Sequence, residues 1–87
     1  MFSYKELKII SAVPADDIFG YMREIGASEK TGGLYEYGGL EIEISVYIDN
    51  ALPELGIIRY LIEARGERSA AEDFLTAFRF RFLSAGG

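Results

Sequence analysis

The chain has 87 residues, no cysteine and no histidine, and 9 basic against 14 acidic side chains give it a net charge of −5 and an isoelectric point near 4.6. That length fits one domain, with no disulfide, no thiol or imidazole catalysis, and none of the usual zinc ligands. The acidic balance argues against a phosphate-backbone partner and against an anionic membrane surface.

The core must hold by packing, and a composition that is 49% hydrophobic and 14% aromatic can supply it. A domain of this size buries roughly 60–65% of the surface that its unfolded chain exposes, so covering more surface by association would stabilise it. No apolar run approaches the ~20 residues of a membrane-spanning helix. Lys5, Glu6 and Lys8 interrupt the opening apolar stretch, so no signal peptide is expected there. A soluble cytoplasmic protein is the expectation. The absence of glutamine and the single asparagine, Asn50, fit a heat-adapted source.

Tyr4 to Val13 reads as a strand, with Leu7, Ile9 and Ser11 on one face and Lys8 and Ile10 on the other. Pro14 then opens a helix. Asp16 and Asp17 sit in its first turn, where the helix dipole favours anions, and Ile18, Met22 and Ile25 form an apolar stripe widened by Phe19 and Tyr21. Gly26 offers a left-handed stop. The stretch "SEKTGG" reads as a loop. A short strand, Leu34–Tyr37, a Gly38-Gly39 turn and a long strand, Leu40–Asp49, follow as a hairpin. In the long strand Leu40, Ile42, Ile44, Val46 and Ile48 share a buried face, opposite Glu41, Glu43, Ser45, Tyr47 and Asp49. A further strand runs from Ile57 to Arg65. It sends Ile58, Tyr60, Ile62 and Ala64 inward and Arg59, Leu61 and Arg65 outward, the arginines facing the acids of the strand before.

The closing segment alternates Phe78, Arg79, Phe80, Arg81, Phe82. As a helix from Ser69 to about Ser84 it starts at a Ser69–Glu72 capping box and gathers Ala71, Phe74, Leu75, Phe78 and Phe82 on one face. As a strand it would complete a ferredoxin-like β-α-β-β-α-β layout, but no glycine or proline marks the break that this requires. The helix is the better reading. The expected fold is α+β: a single antiparallel sheet of three or four strands with two helices packed on one face, in the order β-α-β-β-β-α.

Chemistry is sparse. The segment "GASEKTGG" has Gly26, Lys30 and Thr31 but lacks the glycine that precedes the lysine of a phosphate loop. Arg79 and Arg81 diverge on a helix, so no nucleic-acid partner is expected. No catalytic residue and no cofactor is expected. The leading expectation is a non-catalytic domain that forms a homodimer or binds a protein partner. Leu61, Phe80 and Leu83 are left facing outward, and if gathered into one patch they mark the association site. The alternative is a small-ligand or divalent-cation module in which Glu41, Glu43 and Asp49 on the acidic strand face supply oxygen ligands.

Overall fold

A computed structural model of the chain describes residues 3–47 and 58–83. The described chain runs β1 (Tyr4–Ser11), α1 (Ala15–Glu24), β2 (Ser28–Thr31), β3 (Leu34–Tyr37), β4 (Leu40–Tyr47), β5 (Arg59–Glu67) and α2 (Arg68–Leu83). The strands form one antiparallel sheet in the order β1-β5-β4-β3-β2. One core cluster joins the inward sheet side chains Tyr35, Leu40, Ile42, Ile44, Ile62 and Ala64 to Ile18 and Met22 of α1 and Phe74 and Phe78 of α2. Both helices therefore lie on the same face.

The sheet has five strands rather than three or four. The addition is β2, which occupies the expected loop. All four of its side chains are exposed, and it forms a strand through backbone pairing with β3. Its turn ends at Gly33, which has φ +80°. The Gly33 carbonyl accepts a 2.7 Å hydrogen bond from the Ile44 N–H, so the turn residue also extends the β3–β4 ladder. The Gly38-Gly39 turn joins β3 and β4 with φ of 54° and 82° at its two residues, a type I′ hairpin.

Helix α1 begins after Pro14, whose carbonyl accepts bonds from the Asp17 and Ile18 N–H groups. It ends in a Schellman motif. The Gly26 N–H donates to the Arg23 carbonyl, the Ala27 N–H donates to the Met22 carbonyl, and Gly26 takes φ +83°.

Helix α2 covers the Phe-Arg alternation, which settles it as helix and removes the ferredoxin-like alternative. Its start differs from expectation. Strand β5 continues to Glu67 because Tyr4 of β1 pairs with it. The Glu67 carboxylate then accepts the Ala70 N–H at 3.0 Å, so Glu67 caps the helix instead of Ser69. Glu72 pairs with Arg68 at 3.3 Å one turn back. Two inward positions are also less covered than their alternation implies: Val46 and Ile58 are each 62% exposed. Neither belongs to the core cluster or to the partly buried side chains packed against it. Ile48 and Asp49 fall outside the described residues.

Phe78 is the hub of the aromatic core. Its ring lies 4.9 Å from Phe82, 6.3 Å from Phe74 and 5.7 Å from Tyr21, the last edge-to-face. Tyr21 also meets Phe82 edge-on at 5.6 Å. Burial raises the Tyr21 pKa above the ordinary tyrosine value. Tyr37 and Glu24 add to the rise and Arg81 opposes it. A phenol whose folded-state pKa is raised contributes stability that is fully present below the unfolded pKa and is lost as pH rises through the folded one. Tyr21→Phe is therefore expected to lose less stability than the parent as pH rises from about 10, the ordinary phenol pKa, to about 11 and beyond. Urea melts across that range check this; equal slopes in both proteins would refute it.

Candidate partner-binding surface

The outward sheet face is built from the strand register. One row runs Glu6, Arg65, Glu41, Glu36 across β1, β5, β4 and β3, and the next runs Lys8, Glu63, Glu43, Leu34. A third brings Ile10, Leu61 and Ser45 side by side. The face thus divides into a charged part and an apolar part.

Arg65 holds the charged part together. Its guanidinium donates to the Glu41 carboxylate at 2.8 and 3.1 Å and to Glu43 at 3.2 Å, and Glu63 stands 3.8 Å away. The Glu41 hydrogen bond, with Glu43 adding to it, raises the Arg65 pKa against the opposing effect of desolvation. Further along the sheet, Lys30 pairs with Glu36 at 2.7 Å, and that bond raises the Lys30 pKa. The carboxylates expected as cation ligands, Glu41 and Glu43, are therefore brought together, but around a guanidinium. Asp49, the third, lies outside the described residues. Among the described residues no group of three acids, histidines or cysteines is disposed to hold a metal ion.

The three expected association residues do not form one flat patch. Leu61 faces outward from the sheet, while its neighbour Ile62 is fully buried under the helices. Phe80 and Leu83 belong to α2, on the opposite side of the sheet. Phe80 points directly away from the core and is 79% exposed, and Leu83 is 72% exposed. Arg81, between Phe80 and Phe82, reaches Glu24 at 3.5 Å and lies 5.5 Å from the Phe82 ring.

Ile10 links two of the three. It is 49% exposed at the outer edge of β1. A shallow groove of about 240 Å³ runs between Ile10, Tyr47 and Leu61 on the outward face. A second, of about 570 Å³, runs between Ile10 and Val13 on β1 and its following turn and Phe82 and Leu83 on α2. Ile10 lines both. An apolar belt therefore wraps the open edge of β1, from Leu61 on one side to Leu83 on the other, with Phe80 beyond it on the far side of α2. Sequence reasoning placed Ile10 on the outward side of its strand but gave it no role, because the strand order that sets it beside Leu61 is not written in any one segment.

Among the described residues, these features define a small α+β protein whose sheet ends at β1, an edge flanked by apolar side chains. The chain belongs to the archaeal MoaD-like protein family, whose model matches residues 6–87. No curated protein and no solved structure matches the chain. Among the described residues no helix is long and apolar enough to cross a membrane.

Proposed function

We propose that the protein is a non-catalytic module that works by protein association, with itself or with a protein partner, through the belt around β1. The observation that carries this reading is the continuity of apolar side chains from half-buried Leu61 through exposed Ile10 to exposed Leu83, across an edge strand. Exposed strand edges flanked by apolar side chains pair with other chains unless something blocks them. The opposite edge, β2, is short, fully exposed and interrupted by a register shift between Glu29 and Thr31. Short, bulged edges resist such pairing.

Size-exclusion chromatography with light scattering tests the reading. The parent is expected to rise in mass with concentration, and Ile10→Lys and Leu83→Lys are expected to hold it at one copy. Thr76→Lys, on the exposed side of α2, leaves the behaviour unchanged. A parent that stays strictly monomeric at high micromolar concentration and binds no protein partner would overturn the proposal.

A further inference from the structure

We infer that the occupant of the β1 edge is a second copy of the chain, paired β1 to β1 in one antiparallel register centred on Leu7, so that two five-stranded sheets become one. This rests on the association reading above and adds to it the partner and the register.

The phase of β1 is set by its pairing with β5. Tyr4 stands opposite Glu67, and one step further the Arg68 N–H donates to the Ser3 carbonyl at 2.8 Å. In an antiparallel ladder, residues that exchange hydrogen bonds alternate with residues that do not. Ser3 exchanges with β5, and so do the odd-numbered residues after it. The even-numbered residues, Tyr4, Glu6, Lys8 and Ile10, therefore point their N–H and C=O groups at the open edge. Their side chains are also the outward ones, since Leu7 and Ile9 pack against the core.

A two-fold axis perpendicular to the sheet keeps the helices of both copies on one face. It also requires each β1 residue to meet a residue of the same parity. Centred on Leu7, Glu6 meets the partner copy's Lys8, and Lys8 meets its Glu6. Tyr4 meets Ile10, and Ile10 meets Tyr4. All four edge-facing residues of each copy then find hydrogen-bonding partners, two opposite charges face each other twice, and the exposed Tyr4 and Ile10 cover one another. On the helix side Leu7 meets Leu7, and Lys5 lies along Ile9 with its ammonium free to reach water.

Neighbouring registers are worse for stated reasons. Centred on Glu6, two glutamates face each other; centred on Lys8, two lysines do; centred on Lys5, two lysines do again. Centred on Ile9, Lys8 meets Ile10 with no ion pair, and Glu6 falls opposite Ala12, beyond the end of β1. The order Glu-Leu-Lys at 6–8 is thus self-complementary in one alignment. The same lysines that would deter an unrelated strand are matched by a second copy.

The sequence has no cysteine, so a single introduced thiol reports the register without background. In the proposed alignment Leu7 faces its own copy as a non-hydrogen-bonded pair, with Cα atoms about 4.5 Å apart, within disulfide reach. Leu7→Cys is expected to form a dimeric disulfide on mild oxidation, while Thr31→Cys on the β2 edge stays reduced. Since Leu7 packs against the core, the exposed charge pair gives an independent readout. Glu6→Lys and Lys8→Glu each place like charges opposite one another twice per dimer, and each is expected to weaken dimerisation by about tenfold or more. The double swap Glu6→Lys with Lys8→Glu restores it.

Restoration by the double swap supports the register even if the Leu7→Cys protein folds poorly. A dimer that neither single reversal weakens and that Leu7→Cys does not cross-link would overturn this register while leaving the association reading standing. A parent that remains one copy at high concentration and binds no protein partner would overturn both.

Discussion

Phe78→Ala is expected to cost roughly 3–5 kcal/mol, the range for emptying a fully packed aromatic site. Phe78 is 2% exposed and touches three other rings, Tyr21, Phe74 and Phe82, so no single neighbour can close over the space it leaves. Small domains hold only about 5–15 kcal/mol in total, so the loss removes a large share of the margin. Thermal melts at fixed protein concentration should show a midpoint lower by about 15 °C or more. Phe80→Ala, two residues on and 79% exposed, should stay within about 0.5 kcal/mol of the parent. The pair turns the Phe-Arg alternation into a measurement. Equal losses at both positions would contradict the helical face assigned here, and a small loss at Phe78 would contradict the core.

Gly33→Ala is expected to be the most damaging single-methyl change in the described chain. The residue sits at φ +80°, where a side chain is strained, and a β-carbon there would lie 2.5 Å from the Ile44 carbonyl oxygen. That atom is backbone in the sheet and cannot rotate away. Relief requires breaking the 2.7 Å bond from the Ile44 N–H to Gly33 and prising β3 from β4 at its end. The conformational strain alone costs about 1–3 kcal/mol, and the lost ladder bond adds about 1 more. Gly32→Ala is the internal comparison, since a β-carbon at Gly32 meets nothing within 4 Å. Denaturant melts of the two variants should differ by at least about 2 kcal/mol. Equal stabilities would mean that the β2–β3 turn has another conformation.

Much of the architecture is legible in the chain because side-chain pattern and structural cause coincide. Pro14 and Gly26 bracket α1, two glycines make the β3–β4 turn, and the spacing of Ala71, Phe74, Phe78 and Phe82 defines a helix against the pull of a strand-like alternation. Strand β2 was not legible. Ser28, Glu29, Lys30 and Thr31 bury nothing, and their extended form comes from hydrogen bonding to β3, which leaves no mark in hydropathy. Glu67 as a helix cap was hidden for a related reason: the pairing of Tyr4 with Glu67 decides where β5 ends, and the two are 63 positions apart (67 − 4). The outward direction of Leu61, Phe80 and Leu83 followed from periodicity alone. Which of them share a surface depended on β1 lying beside β5 and on where α2 crosses the sheet, both tertiary facts. Val46 and Ile58 show the same limit, since periodicity gives the face of a strand but not what covers each position on it.

The seating of β1 against β5 also dictates an order of events during synthesis. Of these strands β1 is made first and has its partner at Tyr60–Glu67, so it must wait for that partner while the β2–β3–β4 meander closes through short local turns. Until β5 emerges, both margins of β1 are bare. Nascent chains emerging side by side on one message would then carry the same naked Glu-Leu-Lys segment at the same moment.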